Sequence, residues 1–555
     1  MKSKSIAIVI SIALIIGFFT GFIACLGQFK PAISQIIANQ YIQHRMYKLT
    51  ALSLQAILNR WTVITITVSL FIFIAWFLSS LRHKGKTKIN IQDKFIKYIV
   101  ITAYSFTAFL IFLTVFISVC SKTNPKDGPN IILIVIDCLK ANNLGCYGYN
   151  KNVSPYIDEL SKQSILFKNA YSNAPWTKPS VATIFTSLYP NLHNVINTED
   201  VLPDEALTMA EILKNNGYYT MFLCGRNIFL GKEFNFAQGF DLYINKEVNS
   251  RDANLLTDKL ISKIPELKKR RFFAYIHYMD LHLPYHRNNF NNSSSENIDN
   301  VVFDELSFIT LRELTYKNQL SNNDKRRIKS IYDGQVNYVD NNVRRLLLAL
   351  DNYNLRNNTL IIITADHGEE FWEHHNFEHG HTLYNELLHV PLIITGNKLK
   401  QSIINTRVRL IDLLPTVIDI ANIKHCKSKY QGKSLAQLIT QRESGIDLPV
   451  FATGTFYGTE KYCLIKENMK LIQNTDQTKG KKDLIGYINP GKTELYNLDK
   501  DRLETINLSN ADKEKLKRLG KDLAKYVHVG HSLSNRRIFL NEELKEDLKS
   551  LGYVQ

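Results

Sequence analysis

The chain has 555 residues, of which 45% are apolar and 21% charged. This excludes wholesale disorder and leaves room for several average domains or for one large α/β domain with additions. The net charge of +17 suits nucleic acid, an anionic membrane surface or a phosphorylated or sulfated substrate, and seven Cys are too few and too irregularly spaced for a disulfide framework or a zinc ribbon.

Three uncharged apolar runs, at about 5–25, 62–81 and 98–120, lie within the first 120 residues. Each is long enough to cross a hydrocarbon core of about 30 Å as a helix, the one open structure whose backbone polar groups need no partner from lipid. The loop 82–97 holds Arg82, Lys84, Lys86, Lys88, Lys94 and Lys97, whereas the longer loop 26–61 holds Lys30, Arg45, Lys48 and Arg60. The positive-inside rule then puts the N-terminus in the cytoplasm and, after three crossings, everything beyond residue 120 outside it. The sequence thus predicts a multi-pass protein of the cell membrane with a periplasmic or extracellular catalytic domain. A cleaved signal peptide ending near Cys25 is the rival reading. The apolar run is too long for it, and Phe22 suits the cleavage pattern poorly.

A polar linker, 121–128, precedes the run Ile131–Ile136, which ends in Asp137. Similar runs recur at 219–224, 272–277 and 359–364, with helical patterns at 206–216 and 332–350 between them. Short apolar runs of this kind predict strands buried on both faces of a mainly parallel sheet, flanked by helices. The Asn-rich stretch 288–330 reads as an insertion or mobile loop. Residues 129–425 are expected to form the catalytic domain. Residues 426–555, with shorter strand-like runs, form a smaller C-terminal α+β subdomain ending in a helix near 541–550.

Chemistry in such sheets collects at the carboxyl ends of strands. Asp137 closes the first strand, and Asp366 and His367 follow the one at 359–364. Thr177 lies just ahead of a helical pattern at 179–188, with Pro179 suited to its first position, so an anion is favoured there. The stretch 373–381 supplies His374, His375, His379 and His381. Two carboxylates, a hydroxyl and an imidazole make a ligand set for Zn²⁺ or Mn²⁺, and a cation would activate an otherwise poor threonine nucleophile.

The segments PNIILIVID (129–137), FKNAYSNAPWTKPSVATIFTSLYP (167–190), HYMDLHLPY (277–285), YDGQVNYVD (332–340), TADHGEEF (364–371) and HGHTLYNELLHVPLI (379–393) together resemble the sulfatase branch of the alkaline-phosphatase superfamily. The resemblance covers nearly all of 129–555. It implies that family's mixed α/β fold and a metal-dependent attack on phosphorus or sulfur. It puts Asp137, Thr177, Asp366 and His367 on the metal and nucleophile positions and His282 and His379 on positions that bind the anionic group, with His381 a weaker candidate. His277 and Asp280 flank the pocket-forming turn, where a structural role is equally open. His374, His375, Lys178 and Lys232 receive no role.

Two departures refine the expectation. Where formylglycine sulfatases carry Cys or Ser in a C/S-x-P-x-R pattern, this chain has Thr177, with Val181 at the Arg position. Threonine cannot be oxidised to an aldehyde. A direct Thr nucleophile is instead similar to membrane phosphoethanolamine and phosphoglycerol transferases. Asp137 is followed by Cys138, not by a second Asp, and the loss of a hard oxygen favours Zn²⁺ or Mn²⁺ over Ca²⁺. Cys138 itself is read as a buried inert thiol, with metal binding as the alternative. The expected activity is cleavage of phosphate esters, such as a phosphodiester or phospholipid head group, by hydrolysis or transfer, with membrane lipid or envelope glycan as substrate. His282 and His379 stabilise the anion, and one of them protonates the leaving group. The alternatives are a sulfuric-ester hydrolase without formylglycine and a degenerate binding protein. Nucleic acid does not fit an extracytoplasmic domain, and no protein partner is predicted.

Overall fold

The computed structural model describes residues 128–555, apart from 246–251, 286–307, 397–398, 425–429, 442–446, 476–491, 529–531 and parts of 541–555. The three apolar runs and nearly all of the linker lie outside the described residues, as does most of the helix expected near 541–550. Among the described residues, no helix is long and apolar enough to cross a membrane.

The nine-stranded main sheet comprises β1 (Asn130–Ile136), β2 (Ile165–Tyr171), β3 (Tyr219–Cys224), β4 (Leu242–Ile244), β5 (Phe272–Tyr278), β6 (Thr359–Thr364), β7 (His389–Thr395), β8 (Ser402–Ile404) and β9 (Val408–Arg409). Their order is β8-β2-β7-β6-β1-β5-β3-β4, with β9 also on β2. Only β7 runs against the others. All four runs predicted as strands are strands, extended by a residue or less at each end. Every residue of β1, β5 and β6 is buried, so both faces of the sheet centre are covered. Their Ile, Leu and Phe side chains each contribute about 1.5–3 kcal/mol relative to exposure.

The register of this centre positions the chemistry. Val135 of β1 pairs with Thr364 of β6 on one side and with His277 of β5 on the other. Two residues further on, Asp137 and Asp366 therefore leave neighbouring strands at the same level.

The helices include α1 (Pro155–Ser161), α2 (Thr177–Thr186), α3 (Met209–Asn215), α4 (Ala253–Leu267), α5 (Phe308–Tyr316), α6 (Asn322–Asn352), α7 (Leu413–Ile420) and α8 (Lys513–Val527). Helix α6 begins inside the stretch read as an insertion or mobile loop. A capping box starts it: Ser321 Oγ accepts from Asp324 N–H at 3.1 Å, and Asp324 Oδ2 accepts from Ser321 N–H at 2.8 Å. The polar composition of its first turns belongs to an exposed helix face, and α6 packs against α4 and α1. From α6, the Tyr332 hydroxyl donates to the Cys138 carbonyl at 2.7 Å, and Asp340 accepts from the N–H groups of Tyr156 and Ile157. The long helix thereby clamps the turn after β1 and caps α1.

The C-terminal part carries a four-stranded antiparallel sheet of β10 (Val450–Ala452), β11 (Lys461–Lys466), β12 (Met469–Asn474) and β13 (Thr493–Asn497). Helix α8, which the sequence reading did not single out, packs on β11 and β12 through the buried Leu519 and Leu523. The same apolar cluster includes Tyr189, Leu192 and Ile411, and a second one packs Tyr171 of β2 with Val450, Cys463 and Ile472, which joins the small sheet to the main one.

Candidate active site

Asp137, Thr177, Asp366 and His367 meet at the carboxyl ends of β1 and β6, each at most 1% exposed. Thr177 Oγ lies 3.4 Å from Asp137 Oδ2 and 3.2 Å from His367 Nε2. His367 Nε2 is 3.5 Å from Asp137 Oδ1 and 3.5 Å from Asp366 Oδ2.

Local structure fixes each of these groups. Thr177 is the first residue of α2, two positions earlier than the sequence pattern indicates, because the helix starts ahead of Pro179. It still lies where unpaired N–H groups favour an anion. Ser180, one turn on, donates from Oγ to the Asp366 carbonyl at 2.7 Å and ties α2 to the end of β6. Gly368 is required beside them, since a Cβ there would lie 2.0 Å from the Glu386 carbonyl oxygen. His367 Nδ1 is 2.8 Å from the Gly368 carbonyl, which can only accept. The ring proton is therefore on Nδ1, and the Nε2 lone pair faces Thr177 and the carboxylates. Val181, at the position of the family's Arg, is buried in the apolar core.

His277 belongs to the site. Its Nε2 lies 3.3 Å from Asp137 Oδ2 and 3.8 Å from Asp366 Oδ2, with Nδ1 2.6 Å from the Tyr275 hydroxyl. Asp280 does not: its Oδ1 accepts from the Ala253 N–H at the start of α4. The register of β5 separates the two residues, and only alternation along a strand, counted from Val135, points to His277.

Burial pushes both carboxyls up. At Asp137 the His277 hydrogen bond and the neighbouring His282 and His367 imidazoles outweigh this and hold it well below the usual range. At Asp366, burial and then the charge of Asp137 leave it raised. Asp366 Oδ2 is buried and accepts no hydrogen bond. Donor atoms about 2.0–2.3 Å from a tetrahedral ion lie roughly 3.3–3.8 Å apart. The separations here fall almost wholly in that range. The residues present fit a divalent cation held by Asp137, Asp366, His367 and Thr177.

His379 and His282 border this cluster. The His379 ring centroid is 4.5 Å from that of His367 and 5.1 Å from that of His282. His379 Nδ1 lies 3.0 Å from Glu369 Oε2, and His282 Nδ1 donates to the Leu283 carbonyl at 2.7 Å. Burial, then His367, pushes His379 down to about 3, so its imidazole is neutral. This argues against His379 as the residue that protonates a leaving group, and for a neutral N–H donor. Arg312 of α5 pairs with Glu378 and with the Tyr457 hydroxyl, anchoring the chain beside His379. Gly380, at φ +84°, donates from its N–H to the Pro175 carbonyl and accepts at its own carbonyl from Phe456 N–H. Trp176 donates to the Gly454 carbonyl at 2.6 Å. The segment after β10 thus ties the start of α2 to the His379 loop.

The expectation that His381 binds the anion is not met. Its Nε2 is 2.8 Å from Glu370 Oε2, and it lines a separate polar cavity of about 110 Å³ with His374, Tyr384, Lys461 and Glu494. His374 pairs with Glu386 and stacks on Tyr384. Lys178 is buried, donating to the carbonyls of Asn197 and Thr198, and Lys232 lies over Tyr243.

Residues 129–423 match the Sulfatase family model. The chain belongs to the sulfatase family and is an enzyme of that metal-dependent hydrolase family. Arylsulfatase K of Gallus gallus is 24% identical over 486 residues, covering 78% of this chain and 89% of its own. An arylsulfatase of Clostridium perfringens is 24% identical over 472 residues, covering 72% and 94%. The solved phosphonate monoester hydrolase of Silicibacter pomeroyi shares the fold, with TM-score 0.59, 18% identity and coverage of 75% of this chain and 98% of its own.

Proposed function

We propose that the chain is a membrane-anchored hydrolase or transferase that cleaves phosphate esters of cell-envelope lipid or glycan through Thr177, its catalytic domain held outside the cytoplasm by the apolar runs of the first 120 residues. The observation that supports this most is the Thr177 hydroxyl, buried within 3.2–3.4 Å of His367 and Asp137.

A bound Zn²⁺ or Mn²⁺ would lower the hydroxyl pKa and neutralise charge on the ester. Asp137, Asp366 and His367 are the residues that would hold the ion, and the His277 N–H keeps Asp137 oriented. Thr177 Oγ attacks phosphorus in line with the leaving oxygen. The Thr177 hydroxyl gives its proton to solvent as the new bond forms, the bond to the leaving oxygen breaks, and the leaving alkoxide takes a proton from His282 or from water, so that a phospho-threonine forms. His379 donates from Nε2 to an anionic oxygen while its Nδ1 accepts from Glu369, whose carboxyl is pushed up to about 8 by burial. His282, with Nδ1–H held by the Leu283 carbonyl, donates from Nε2 when it carries both ring protons, and the α2 N-terminus favours the same charge. Water or an acceptor hydroxyl then releases the phosphoryl group from Thr177.

The test is intact-mass analysis of the full-length protein after exposure to envelope lipids. A covalent adduct with the mass of a phosphoryl group, or of a phosphoryl group plus the ester group a diester retains, is expected on Thr177 and absent in Thr177→Ala. Full activity in Thr177→Ala would falsify the mechanism. The arylsulfatase relatives favour a second reading, sulfuric-ester hydrolysis by the unmodified Thr. Relative turnover of aryl phosphate, phosphodiester and aryl sulfate separates the two, with the phosphoesters expected to be faster.

A further inference from the structure

Asp137 leads directly into Cys138, which takes a left-handed conformation at φ 60° and is fully buried. Its thiol donates to Asp137 Oδ1 at 2.9 Å, and Sγ lies 3.7 Å from His379 Nδ1. Cys138, His367 and His379 form one set whose donor atoms all lie within 4.8 Å of one another; Asp137, Asp366 and His367 form a second set that shares His367. The buried Asp366 Oδ2, with no hydrogen bond, sits in the second set. The oxygen-rich and the sulfur- and nitrogen-rich groups thus share one side chain.

We propose that Cys138 is a thiolate ligand of the cation held by Asp137, Asp366 and His367, making the centre a mixed sulfur, nitrogen and oxygen site selective for Zn²⁺ over Mn²⁺ and Ca²⁺. This rests on the reading of the site as a metal centre. Soft thiolate favours Zn²⁺, whereas an all-oxygen set suits the harder ions. On binding, the S–H bond breaks, the sulfur bonds the metal with the electron pair left behind, and the proton leaves to solvent. His379, 3.7 Å from the sulfur, borders both the thiolate and the substrate's anionic oxygens. A second Asp at this position would instead complete a hard oxygen set.

The experiment loads the full-length protein with Co²⁺ and records its absorption. A thiolate-to-cobalt charge-transfer band in the near ultraviolet is expected in the wild type. In Cys138→Ser this band should vanish while the visible d–d bands persist. Competition assays should show the zinc-over-manganese preference falling at least roughly tenfold in Cys138→Ser and further in Cys138→Asp. Bound cobalt without the charge-transfer band in the wild type overturns the thiolate ligand and leaves the metal centre standing. Failure to bind cobalt, zinc or manganese overturns the metal centre itself. The wild-type spectrum decides the matter even where a variant does not fold.

Discussion

The ends of β1 and β6 and the loop 372–381 are both dense in groups able to do chemistry, yet only the strand ends deliver all of them to one point. Asp137, Cys138, Asp366 and His367 converge because Val135 and Thr364 are paired, and the next residues leave the sheet side by side. The loop reverses repeatedly, with positive φ at Trp372, His375, Glu378 and Gly380. Of its four His, His379 reaches the site, while His374 and His381 turn to Glu386 and Glu370. Hydrogen-bonded register holds neighbouring residues to a common level, whereas a loop sends each side chain wherever its local turn points.

Substitutions can break this contrast. The largest effect is expected at a strand end: Asp366→Ala should lower kcat/KM by roughly 10³-fold, the several kcal/mol a bound cation supplies. Metal content measured alongside should fall too; activity within tenfold of wild type would undo the convergence argument. In the loop, His379→Gln should lower kcat by about 10²-fold. His381→Gln should instead leave kcat unchanged and cost about 1–3 kcal/mol of stability, as expected when a buried hydrogen bond is weakened. Equal kinetic losses at the two positions would contradict their placement. His277→Gln is expected to weaken metal affinity about 10–100-fold with the fold intact, which titration with a competing chelator would read.

The smallest effect tests the part of the loop directed away from the site. Burial opposes charge on His374, but its bond to Glu386 outweighs this and raises its pKa to about 9. A folded pKa above the unfolded 6.5 means that this stability is fully present below pH 6.5 and is lost as pH rises to about 9. Denaturant midpoints measured across that window should fall less in His374→Gln than in the wild type, with activity at pH 6 unchanged. An identical fall in both proteins would remove His374 from the account.

Much of the fold was legible beforehand. The runs at 131–136, 219–224, 272–277 and 359–364 could only bury both faces, and all became central strands. Helix α8 escaped notice because Leu516, Leu519 and Leu523 are spread among Lys and Glu, and their common face is decided by the sheet beneath. The start of α6 was hidden in polar sequence, where a capping box marks it more clearly than hydrophobicity does. The positions of the candidate site residues at strand ends and at the start of α2 were also legible, since strand ends and helix starts are local features. His277 and His381 exchanged importance because alternation along β5 and the turns of the loop decide which way an imidazole points.

By itself, the sequence determined the four central strands, the helix that presents Thr177 and the presence there of a threonine, which cannot become formylglycine. Periodicity, chain direction and side-chain chemistry are properties of short segments. Only the tertiary structure decided that His277 joins the two carboxylates, that His381 leaves them and that Cys138 comes within reach of His379. Those relations depend on strand register and loop reversal, which bring residues more than 100 positions apart to within a few ångströms.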